Sequence, residues 1–151
     1  MNIIGFLKNH DLETRCSQDI ILSAKNINPD NELDLVISYL KKWSILIACT
    51  LWLTDIDGED IGEYIIYTDG EWIWPSYYSF YLRKYNSIKI PDEFINYIKR
   101  GGKEGALTSA EKGYAEYFLI DLLKIKVTRN WIPPEEVQAI VEERGREIKC
   151  Y

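Results

Sequence analysis

The chain has 151 residues, of which 46% are hydrophobic and 13% aromatic, and a formal net charge of −6. That length supports one domain with a core of its own, and the composition is far from that of disordered chains. The charge argues against nucleic acid as a partner, because phosphate binding needs Lys and Arg to displace counterions. A basic protein suits it better.

In chain order, the apolar stretch within Met1 to Lys8 is too short for a secretory leader, and no run approaches the roughly 18 apolar residues of a membrane span. The expected location is the cytoplasm, with no membrane partner. Leu12, Cys16, Ile20, Ala24 and Ile27 recur at helical spacing, predicting a helix over residues 11–26 with Asp11 as cap. Asn28-Pro29-Asp30-Asn31 breaks the chain. A second helix is expected from Glu32 to Lys42, capped by Asn31, with Leu33, Val36, Ile37 and Leu40 inward. Residues 44–54 read as a strand, with a helix continuing from Lys42 as the alternative. Residues 55–60 form a charged loop around Gly58.

Residues 63–67 read as a strand, Asp69-Gly70 as a hairpin turn needing positive φ, and residues 71–74 as the return strand before Pro75. Trp72 and Trp74 are expected on opposite faces, one in the core and at most one exposed. Ser76 caps a helix through Tyr85. Pro91-Asp92-Glu93 opens a helix ending at Gly101-Gly102, and residues 101–107 read as a flexible loop. Thr108-Ser109-Ala110-Glu111 is a capping box for a helix to Lys124. Pro133-Pro134-Glu135-Glu136 opens the last helix, stopped by Gly145. The expected fold is α+β: a mainly helical single domain over residues 1–151, with a small antiparallel hairpin sheet near the middle.

No catalytic constellation emerges. His10 is the single histidine, so Ser/His/Asp and Cys/His arrangements would all depend on it. Asp55-Ile56-Asp57-Gly58-Glu59-Asp60 resembles a calcium loop but lacks the EF-hand placement of Gly sixth and Glu twelfth. Gly101-Gly102 lacks the Gly-Lys-Ser/Thr ending of a phosphate loop. Cys16, Cys49 and Cys150 spell neither a disulfide framework nor a metal pattern. No catalytic residue, metal or cofactor is expected.

The charge pattern is more informative. Between Trp43 and Leu82 there is no Lys or Arg, while acids and aromatics are dense. Such a surface can steer a basic partner electrostatically and anchor it through a few buried rings. The candidate partner-binding residues are Asp55, Asp57, Glu59, Asp60 and Glu63, with Trp72 and Tyr77 as aromatic anchors. The competing reading makes the aromatics core and the acids a solvated face.

Tyr67-Thr68-Asp69-Gly70-Glu71-Trp72-Ile73-Trp74-Pro75, then Tyr81-Leu82-Arg83-Lys84-Tyr85, then Ile90-Pro91-Asp92-Glu93-Phe94, resembles a motif of small bacterial proteins. These carry a TDGxWxWP hairpin, a tyrosine-rich helix and an LPxEF helix. Asp34 to Leu40 is similar to their xVIxYL helix. The pattern resembles that of immunity proteins of polymorphic-toxin and contact-dependent growth inhibition systems. It covers roughly residues 33–99 and transfers no binding residues. It implies a cytoplasmic, non-enzymatic inhibitor of one cognate toxin protein, often a nuclease. A cytosolic adaptor or structural subunit, or less strongly a carboxylate-based enzyme, stands as the alternative.

Overall fold

In the computed structural model, described for residues 1–11, 14–19, 28–123 and 133–151, five helices pack on a five-stranded sheet in an α+β fold. The strands β2 (Ser44–Thr54), β3 (Asp60–Thr68) and β4 (Trp72–Pro75) form an antiparallel meander. Next to β4 lies β1 (Asn2–Ile3), paired in parallel, and beyond it β5 (Lys149–Cys150), again parallel. The sheet is therefore mixed, where a small antiparallel one was expected. Both extra strands are two residues long, too short to show a period of two. Long-range pairing defines them: Asn2 N and Ile4 N donate to Glu71 O and Ile73 O, while Lys149 N and Tyr151 N donate to Met1 O and Ile3 O.

The helices follow their local signals closely. The first, α1 (Asp30–Leu40), starts behind Pro29 with no side-chain cap, earlier than the expected Asn31 cap. It buries Val36, Ile37, Tyr39 and Leu40. Next come α2 (Tyr77–Lys84), which Ser76 does not cap as expected because its Oγ donates to Glu63 O (2.8 Å) and accepts from Ile65 N (3.1 Å), and α3 (Asp92–Lys99). The capping box of α4 (Ser109–Leu122) is formed in full, with Glu111 N donating to Thr108 Oγ1 (3.2 Å) and Thr108 N to Glu111 Oε2 (3.0 Å). The last helix, α5 (Glu135–Arg144), stops at Gly145, whose φ of 81° an L side chain rarely adopts.

The helix expected over residues 11–26 is not supported where it can be seen. Residues 14–19 are not helical: Gln18 N donates to Phe6 O and accepts, through its carbonyl, from Lys8 N. These backbone groups are committed to the neighbouring segment, so they cannot close helical turns. Residues 12–13 and 20–26 of that expected helix lie outside the described residues.

The sheet has apolar packing on both faces. On one side Ile3, Tyr64, Ile66 and Ile73 meet Tyr77 and Tyr81 of α2 and the α4–α5 pair. On the other, Trp72 and Trp74 meet α1, α3 and the opposite flank of α2. Residues two apart on a strand share a face. Trp72 and Trp74 therefore point the same way, and both are buried, correcting the expectation that one faces outward.

The Thr-Asp-Gly turn is an internal hydrogen-bond device. Asp69 Oδ1 accepts from Glu71 N (2.9 Å) and Trp72 N (2.7 Å), and its Oδ2 accepts from Tyr39 OH (2.7 Å). Thr68 Oγ1 donates to Trp72 O (2.7 Å) and accepts from Gly70 N (2.9 Å). Gly70 has φ 91°, and a Cβ there would lie 2.7 Å from Leu107. Only glycine fits comfortably. Downstream, the stretch read as a flexible loop is tied in at its start by Lys103 N donating to Tyr39 OH (3.1 Å).

Cysteine usage also departs from expectation. Cys16 and Cys150, 134 positions apart, form a disulfide, leaving Cys49 as a free thiol. Spacing hid the pair, because the partners meet only once β5 docks beside β1 and residues 16–18 fold against Phe6 to Lys8.

Candidate protein-interaction face

The β2–β3 hairpin carries the acidic loop at its tip. Asp55 organises that loop: its Oδ1 accepts from Asp57 N (2.9 Å) and Glu59 N (2.8 Å), a side-chain turn of the kind Asp favours. Its Oδ2 accepts from the Lys84 ammonium of α2. The same ammonium lies 2.8 Å from Asp57 Oδ2 and 3.2 Å from Glu59 Oε2. One ammonium thus serves three carboxylates of the loop. Among the described residues no cluster of His, Cys, Asp and Glu is arranged for a metal. The hydrogen bond from Lys84, followed by those from the loop amides, holds the Asp55 carboxyl below its usual range. The three carboxylates in turn push the Lys84 ammonium well above its own.

This geometry sorts the candidate residues. Asp57, Glu59, Asp60 and Glu63 are exposed. Asp55 is buried and serves the loop, so it is not a contact residue. Lys84 lies just beyond the cation-free stretch in sequence and folds back onto it, so the loop is partly neutralised in space. Trp72 is 3% exposed and packed against Phe94 (4.7 Å) and Tyr151 (5.0 Å). Tyr77 is fully buried, donating its hydroxyl to Asp11 and accepting from Leu7 N (3.0 Å). Both are core residues rather than anchors.

The exposed apolar groups lie elsewhere. Leu51 is 57% exposed, and Trp52 and Ile56 are each 60% exposed, beside the acidic loop. Trp52 Nε1 donates to Asp60 Oδ1 (3.2 Å), which fixes the ring next to a carboxylate. Cross-strand partners share a face. The pairs Ile45–Tyr67, Ala48–Ile65 and Trp52–Glu63 therefore line the sheet face opposite Ile66. Helices cover the Trp74 end of that face, but Ile45 and Trp52 remain open to solvent. A hollow of about 170 Å³ beside Leu40, Tyr67, Trp74 and Ser79 marks the boundary. The result is an apolar sheet face running into four exposed carboxylates. The sequence held one clue, an uncharged apolar strand running directly into an acidic loop.

Two other features frame this site. Asp11 accepts from Tyr64 (2.5 Å) and Tyr77, and His10 Nε2 lies 2.9 Å from Tyr81 OH. Burial lowers the His10 pKa and raises that of Tyr81 to about 12. The cluster ties the N-terminal segment to β3 and α2. A cavity of about 620 Å³ opens between Phe6, Tyr78, Ile88 and Tyr151, and neither His10 nor the acidic loop lines it. Among the described residues no helix is long and apolar enough to cross a membrane. No family model, curated protein or solved structure matches the chain.

Proposed function

We propose that the chain is an immunity protein: a cytoplasmic, non-enzymatic inhibitor that neutralises a cognate bacterial toxin domain by covering its working surface. The observation that carries this reading is the open β2–β3 face, where Ile45 and Trp52 stand exposed and which runs into a loop exposing Ile56, Asp57, Glu59 and Asp60, with Glu63 across from Trp52. Exposed apolar side chains rimmed by charge are the anatomy of a protein interface. The sign of the rim selects a basic partner, and a nuclease toxin with a cationic substrate groove is the fitting class. In that arrangement the carboxylates accelerate encounter, and Trp52 supplies the desolvated contact that slows release. The resemblance of the Thr-Asp-Gly hairpin to those of immunity proteins supports the same reading through the scaffold rather than through contacts.

The test is identification of the bound chain by co-purification from the native source, then co-expression of that chain with this protein and binding kinetics on the purified pair. The wild-type chain is expected to rescue growth. Trp52→Ala should weaken binding by about tenfold or more, roughly 1.4 kcal/mol, without loss of folding. Asp60→Lys with Glu63→Lys should slow association most strongly at low salt. Rescue by these variants equal to wild type would remove this face from the interface, and failure of the wild type to rescue would sink the immunity reading.

A further inference from the structure

We infer that β2 is also a self-association edge, along which two copies of the chain pair their β2 strands antiparallel about a two-fold axis at Cys49. Among the described residues β2 ends the sheet order β2-β3-β4-β1-β5. Its sequence from Ser44 to Thr54 contains no charged residue, proline or glycine, in a chain that is 28% charged. Sheet edges ordinarily carry such residues to prevent pairing with another chain. Among the described residues the edge is guarded by irregular register against β3, at Ile45–Ile47, Ala48–Trp52 and Leu53–Thr54. Ile45, Ala48, Thr50, Leu51 and Trp52 are all exposed along it.

The occupant follows from what flanks the strand. Exposed Lys41 and Lys42 lie one residue before β2, across Trp43, and neither forms an ion pair among the described residues. The acidic loop immediately follows it. Antiparallel pairing sets each lysine pair against the other copy's acidic loop, whereas parallel pairing sets like against like. The edge is thus self-complementary, as an isologous interface requires. Full overlap places Ser44 across from the second copy's Thr54, Ile47 across from its Leu51, and Cys49 across from its own counterpart. Each copy has a net charge of −6, but that repulsion acts over distances comparable to the roughly 8 Å Debye length at physiological salt. The lysine–carboxylate pairs are closer. The apolar face described above is not consumed. It becomes continuous across the two-fold, so this inference stands independently of the toxin reading.

Sedimentation velocity on the intact chain at about 1–200 µM tests it by mass action. A concentration-dependent dimer is expected. Thr50→Lys, which puts a cation on each side of the axis, should weaken it by roughly tenfold or more. Lys41→Glu with Lys42→Glu should weaken it most at low salt. A short bis-maleimide should join two chains through Cys49, and Cys49→Ser should abolish that product. Ala48→Lys serves as a second edge variant, with circular dichroism confirming that both lysine variants fold. A monomer throughout the range overturns the proposal. So does a dimer that neither lysine variant weakens and that Cys49 does not cross-link.

Discussion

Asp55 and Asp69 are both buried carboxylates read from the sequence as parts of loops, and the fold gives them opposite electrostatic situations. Asp55 faces an ammonium, and its pKa is depressed. A group depressed on folding contributes stability above its unfolded pKa, about 3.9 for Asp, and loses it as pH falls through the folded value. Stability should therefore decline below about pH 4, with a smaller decline in Asp55→Asn. Denaturant melts at pH 7 and pH 3 measure this, and equal declines in both proteins would detach Asp55 from acid sensitivity. For Asp69, burial raises the pKa while hydrogen bonds from Tyr39, Trp72 and Glu71 oppose the rise. Its main work is to accept those bonds. Asp69→Ala leaves buried donors unpaired and should cost about 2–4 kcal/mol. Asp69→Asn, which keeps an acceptor for the two amides, should cost less. Urea denaturation checks both, and equal costs would contradict the turn-acceptor role.

At the scale of elements, helices were the legible part. A capping box, prolines that sit at the N-cap rather than the expected N1 position, and a terminal glycine act within a few residues, so α3, α4 and α5 could be placed from local chemistry alone. Strand faces were less legible. β2 alternates irregularly because its register with β3 shifts three times, which moves side chains from one face to the other. β4 was misread in another way: Trp72 and Trp74 share a face and the same cluster, where they touch Phe94 at 4.7 Å and 6.5 Å between ring centroids. Trp72→Ala and Trp74→Ala should each cost about 3–5 kcal/mol. Chemical denaturation of both, beside Trp52→Ala as an exposed control, separates core from surface tryptophan. A cost near zero at either buried ring would contradict its burial.

For the whole molecule, the Cys16–Cys150 disulfide is the feature with the longest reach. It joins residues 134 apart and holds β5 at the sheet edge. Closing so long a loop restricts the unfolded chain and stabilises typically by about 2–4 kcal/mol. Reduction should lower Tm by roughly 4–16 °C in a domain of this size. Cys16→Ser with Cys150→Ser should start at the lower Tm and be indifferent to reductant. Identical wild-type melts with and without reductant would show that the bond contributes nothing. The disulfide and the proposed cytoplasmic location pull in opposite directions, since reducing compartments hold such pairs as thiols. Free-thiol counting on protein recovered from cells measures which form prevails.

The sequence by itself determined the α+β class, the position of the acidic loop and the Asp69-Gly70 turn with its need for positive φ. Each depends on neighbours a few residues apart, or on composition, which no packing arrangement alters. Tertiary structure decided which aromatic rings are covered. Trp72 disappeared into the core because α1, α2 and α3 close over β4, and Tyr77 because α2 packs on the other sheet face beside Leu7, Tyr64 and Ile66, while Trp52 stayed open because β2 ends the sheet among the described residues. It also brought Lys84 back onto Asp55, Asp57 and Glu59, and Cys150 onto Cys16. Burial and pairing across long separations depend on where the chain returns, and hydrophobic periodicity carries no record of that return.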